Sequence, residues 1–288
     1  MTAALSPTFT RRRRPAIVVR SRRAVVVTWA FVRMGARATF SYPLSFILMQ
    51  ASVVLSVIAY VFLGRLIHSS AAVGPDYLSF AAIGLAAAQL CAAGVLGLGQ
   101  ELDWAIEQGR LEMLLIEPVS WRLIPLALGT WPCIYRAFMA GVILLASLGL
   151  GAQFVPGQIP AVLALSVLAV LTGLAIGVTA GAIRVLAKRG DPIASIYMML
   201  AMVFTGQFVP LNVFPLPLRV LAWFFPNTYV IAGMRKALMP HASGIYGPDT
   251  GQAILLLLAF CAVLLPLGLW IFGRSLELGR RYGMLAGY

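Results

Sequence analysis

Five of the nine acidic residues of this chain crowd into seventeen positions: Glu101, Asp103, Glu107, Glu112 and Glu117. No histidine or cysteine shares that segment, so it offers neither a nucleophile–base pair nor a mixed metal-ligand set. What it offers is charge, a negative surface fit to dock against basic residues of a partner. The second candidate is Arg136, an ionisable side chain in a long apolar run. An arginine at membrane depth is costly and marks function by default. The alternative is a span that begins near Ala137, which leaves Arg136 at the interface and residues 137–155 still long enough to cross.

Other chemistry is absent from the sequence. No Gly-x-x-x-x-Gly-Lys-Ser/Thr loop occurs, so ATP binding by this chain alone is not expected. No His-Glu-x-x-His and no Gly-x-Ser-x-Gly occurs either. Cys91, Cys133 and Cys261 lie within apolar stretches, and His68 and His241 stand alone near their ends, so no metal or disulfide framework is expected.

The elements that must position these residues are membrane helices. The chain is 61% hydrophobic and only 11% charged, against roughly 25% charged in a soluble domain. A crossing needs about 20 apolar residues. Six segments qualify, near 44–64, 77–99, 123–150, 160–183, 192–211 and 252–273, and none shows barrel alternation. None of them holds an Asp or Glu, which counts against a proton- or sodium-driven carrier. Gly173, Gly177 and Gly181 recur every fourth residue and line one helix face for close packing.

Charge sets the orientation. Leaving out the distal basic cluster before Val25, ten Lys and Arg fall on the side that holds both termini and four on the other. The positive-inside rule then puts both termini and the acidic segment in the cytoplasm. The net charge of +13 is expected to meet anionic membrane lipids, with no nucleic acid as partner. Arg11–Arg14 precede an apolar stretch too short and too soon interrupted for a signal peptide. Arg22, Arg33 and Arg37 share a helical face, which predicts an amphipathic helix on the membrane surface rather than a plain basic flank.

Two segments carry a family resemblance. The acidic run is read as one helix from Glu101 to its stop at Pro118, and Gly109, Glu112, Leu114 or Leu115, Pro118 and Ser120 match a pattern of basic residue, Gly, Glu, Leu, Pro and Ser, except that the basic residue ahead of the Gly is replaced, with Glu107 nearby and Arg110 following. The stretch after span five runs Gly206, Pro210, Phe214-Pro215, Pro226-Asn227 and Arg235, with a proline-bounded apolar piece too short to span. In both, the chain resembles the ABC-type-2 permeases, the membrane subunits of ABC exporters. That resemblance implies a coupling helix at Glu101–Pro118 seated in an ATPase cleft, and a re-entrant outer gate at Gly206–Arg235. It also implies a second permease subunit, identical or paralogous, with ATP and Mg held by the partner ATPase and no cofactor on this chain. The expected protein is an all-α integral membrane protein of the bacterial cytoplasmic membrane: a basic N-terminus with a surface helix (1–43), a six-span permease domain (44–273) and a basic tail (274–288). The rival reading is a stand-alone secondary carrier or channel for a small or lipid-like solute.

Overall fold

A computed structural model describes residues 16–67, 77–109, 123–187, 192–239 and 246–281. Among these residues there are nine α-helices and no strand. They are α1 (Ala16–Phe40), α2 (Pro43–Ile67), α3 (Tyr77–Glu107), α4 (Leu123–Gly149), α5 (Ile159–Ala187), α6 (Pro192–Phe204), α7 (Leu216–Ala222), α8 (Pro226–Leu238) and α9 (Thr250–Arg281). Five of them, α2, α3, α4, α5 and α9, are long and apolar enough to cross a membrane. In hydrocarbon each backbone must satisfy its own hydrogen bonds, and an unbroken helix does so.

The bundle is built around α3. Of its most apolar stretch 78% is buried, against 6% for α2 and 11% for α9. α4 and α5 pack along α3, and α9 packs along α5. Gly173, Gly177 and Gly181 form the side of α5 that meets α3. A side chain on Gly173 would strike the Cys91 carbonyl, one on Gly177 the Gly94 carbonyl, and one on Gly181 the Leu102 side chain. Without side chains there, the two backbones touch, which maximises dispersion where lipid supplies no hydrophobic drive. One apolar cluster, with Ile83, Leu165, Ile231 and Leu257, fills one end of the bundle; a second, with Leu98, Leu102, Val178 and Phe272, fills the other.

Two expectations need correction. The segment 192–211 is helical only as far as Phe204. At 1.5 Å per residue, thirteen residues cover about 20 Å, short of the roughly 30 Å hydrocarbon core. Gly206, at φ +77°, turns the chain there, and the apolar Phe208 and Val209 beyond it hid that turn. Nor does the acidic run form one helix. Glu101–Glu107 are the last turns of α3, and Gly109, at φ +65° with its N–H on the Ile106 carbonyl, ends it. Helix α9 runs on from the last span into the basic stretch as far as Arg281.

The N-terminal helix α1 covers the expected amphipathic stretch. Its far end docks on α4: Gly35 lies against the Trp131 ring, and Trp131 Nε1 donates to Thr39 Oγ1 at 3.1 Å. Val25, Val26 and Trp29 remain exposed.

Candidate functional site

The acidic end of α3 sorts its carboxylates into two kinds. Leu102 and Ala105 are buried and hold the helix against the bundle, while Trp104 and Glu107 face outward. Asp103 faces α5, where its Oδ2 lies 3.1 Å from Nη1 of the buried Arg184. Gly99, one turn back, leaves room for that guanidinium; a Cβ there would sit 2.6 Å from Arg184 Nη1. Asp103 is thus committed within the chain, whereas Glu107 stays at the surface. Glu101 is half-buried beside them. Arg110, Glu112, Glu117 and Pro118 lie outside the described residues.

At the other end of the bundle the chain doubles back. Two hydrogen bonds fix the depths. Tyr197, inside α6, donates from its hydroxyl to Asn227 Oδ1 at the start of α8 (3.0 Å). Arg235, near the end of α8, donates to the carbonyls of Gly206 and Gln207 just past the end of α6 (both 2.7 Å). The chain therefore leaves α6, returns through α7 to the level of Tyr197, and climbs again along α8 to the level of Gly206. Arg235 is eight positions beyond Asn227 on one helix, so the return reaches about 12 Å back along α6 at 1.5 Å per residue.

Prolines shape each corner of that return. Pro210 caps a single 3-10 turn (Leu211–Val213), Pro215 caps α7, and Pro226 takes the first position of α8, where the missing N–H costs nothing. Arg219 ties the corner by donating from Nη2 to the carbonyls of Asn212 (2.9 Å) and Phe214 (3.1 Å). Thr228 Oγ1 donates to the Ala222 carbonyl (2.5 Å) and Tyr229 donates to that of Trp223 (2.8 Å), binding α7 to α8.

Arg235 is the keystone of the region. It is 3% exposed and sits over the Phe80 ring, 3.4 Å from its centroid. Besides Gly206 and Gln207, it donates to the Phe80 carbonyl from Nε (3.2 Å) and Nη2 (3.1 Å). No carboxylate takes part. Three carbonyls spread the compensation over fixed dipoles, a role the planar fork of arginine fills and a lysine does not. Gly84 lies beneath it, and a Cβ there would meet Arg235 Nη2 at 2.6 Å. The sequence named Gly206, Asn227 and Arg235 but gave no sign of Phe80, Gln207 or Tyr197 as their partners. A carbonyl acceptor carries no residue-type signature, although Gly84 in an apolar run was a hint of close approach.

Arg136 stands at the centre of α4, thirteen residues from each end. At 1.5 Å per residue it is about 20 Å from either end of that helix. Its Nη1 donates to Gln89 Oε1 on α3 at 3.0 Å. Tyr135 beside it donates to Met49 Sδ on α2 at 3.3 Å.

These features define a multi-pass helical membrane protein with a re-entrant hairpin at one end and an acidic helix tip at the other. The sequence profile of the ABC-2 type transporter family matches residues 25–239, well over half of the chain. The chain belongs to that family, and it is accordingly the membrane permease component of an ABC transporter. No curated protein matches it.

Proposed function

We propose that this chain is the permease subunit of an ATP-driven exporter in a bacterial cytoplasmic membrane. Two such subunits, identical or paralogous, enclose the pathway, and two ATPase subunits carry the ATP and Mg. The ATPases dock on the cytoplasmic end, which bears Glu107, Gly109 and, beyond it, Arg110, Glu112, Glu117 and Pro118. Both termini share that side, in keeping with the excess of Lys and Arg there. The Gly206–Arg235 hairpin closes the outer end, and Arg136 lies on the pathway.

One observation carries the reading. Helix α3 is continuous from Phe80, held by the Arg235 clasp, to Asp103, held by Arg184, and ends in the exposed Glu107. The two anchors are about 35 Å apart at 1.5 Å per residue, a full membrane thickness. A push on the acidic tip therefore moves the hairpin end of the same rigid rod, without a hinge between them. Chemical work done on one side is delivered to the other by a helix whose backbone is locked to α5 along most of its length.

Reversing two charges tests it. Glu107→Lys with Glu112→Lys should leave membrane insertion intact, since Glu107 is exposed at the very end of α3, and should detach or uncouple the ATPase, seen as loss of the ATPase from the affinity-purified complex. Normal co-purification together with normal ATP-dependent transport refutes the docking assignment. Transport in purified vesicles lacking any ATPase points instead to a carrier or channel.

A further inference from the structure

The two deep arginines of this chain are treated in opposite ways. Arg235 spends its donors on three backbone carbonyls and is closed off from everything else. Arg136 is half-exposed and has one acceptor, the neutral Gln89 amide, and no carboxylate among the described residues pairs with it. A guanidinium has five N–H donors in a fork that fits two oxygens of one anion. Left in hydrocarbon with a single neutral partner, it is a destabilising charge that asks for a counter-ion. The expected native counter-ion, an acid on a neighbouring span, does not exist in this sequence, because none of the apolar spans holds one at that depth.

The surroundings say what kind of anion fits. Tyr135 and Gln50 bring further polar groups to the same level between α2 and α4. The Gln50 amide nitrogen and oxygen are shielded from solvent and make no hydrogen bond of ordinary geometry. Around this polar spot the surface is apolar: Met49 and Phe138 are more than half exposed, and Phe138 stacks with Phe46 across α2 and α4 at 6.5 Å. A small free ion would gain the charge pairing but would have to shed its water against apolar walls. A molecule with an anionic group on an apolar body satisfies both parts at once.

We infer that Arg136, with Gln89, Tyr135 and Gln50, is a mid-membrane binding site for an anionic amphiphile, a phosphate or carboxylate group carried on a hydrocarbon body. This names the substrate class for the permease reading and rests on it. Binding is measured on the full chain alone in discs of zwitterionic lipid, so its outcome is independent of ATPase docking. The probes are a long-chain alkyl phosphate, the matched alkyl alcohol and inorganic phosphate.

The alkyl phosphate should bind saturably, and Arg136→Gln should weaken it at least tenfold while leaving the alcohol unchanged. Arg136→Lys should recover part of the loss, since it keeps the charge without the fork. Inorganic phosphate at millimolar concentration should not compete. A second measurement separates function from structure: Arg136→Leu should keep or raise the thermal midpoint of the purified chain, because it removes an under-satisfied charge from hydrocarbon. Unchanged alkyl phosphate binding in Arg136→Gln overturns the site. So does full competition by inorganic phosphate, or a lowered midpoint in Arg136→Leu with loss of both amphiphiles.

Discussion

The two ends of α3 each hold a buried arginine from another helix, and they do so by different means. At the Phe80 end Arg235 is met by carbonyls of α3 and of the turn after α6. At the Asp103 end Arg184 is met by a carboxylate whose side chain is still 36% exposed. The first arrangement is closed: its donors, its acceptors and the stacking Phe80 ring are all inside the protein. The second is open, with Glu107 one turn away at the surface. A closed junction fixes geometry, while an open one leaves charge for something outside the chain. That difference is why the hairpin end is assigned to gating and the acidic tip to docking.

The sharpest way to break the comparison is at the closed junction. Arg235→Met should cost about 3–5 kcal/mol, because it strips three carbonyls of their donors where no water can replace them. The midpoint of detergent-induced unfolding reads this directly. A loss comparable to that of a surface substitution would mean that the carbonyls are served by water and that the junction is as open as the other.

The next largest effect comes from beneath the same arginine. Gly84→Ala places a methyl group against Arg235 Nη2 and the Gln207 carbonyl. Overpacking of this kind typically costs about 1–3 kcal/mol. The same unfolding measurement applies, and its size relative to Arg235→Met tells how far the hairpin can shift to make room. An unfolding midpoint equal to that of the unsubstituted chain would show that the hairpin is loosely held.

How much of this was legible depended on whether the signal was local. Long apolar runs disclosed the five spanning helices, since a membrane crossing is written in consecutive residues. Pro210, Pro215 and Pro226 disclosed the broken segment after α6, since proline acts on its own backbone. The division of the acidic run was also local and was overlooked: Gln108-Gly109-Arg110 after an apolar helix is a stop signal, and Gly109 adopts the left-handed conformation that ends α3. By contrast, Asp103 and Arg184 are 81 positions apart, and nothing in either neighbourhood announces the pair. The depth of Arg136 was undecidable from composition, because residues on both sides of it are apolar enough to span. The structure adds where it stands along α4, midway between Leu123 and Gly149.

The smallest effect is the most informative about the open end. Asp103→Asn keeps the shape of the side chain but removes the carboxylate charge that faces Arg184 at 3.1 Å. Because the carboxylate is more than a third exposed, solvent screens the pair and the expected loss is only about 1 kcal/mol. Glu107→Gln should not move the unfolding midpoint at all, since that side chain faces outward. Retention of the ATPase should show the reverse order: unaffected by Asp103→Asn and weakened by Glu107→Gln. Two carboxylates one turn apart on a single helix would then act on different objects, one on the fold and one on the partner. If both substitutions moved both readouts together, the tip would be a single electrostatic unit, and the line drawn between the closed and open ends of α3 would have to run through Asp103 instead of beyond it.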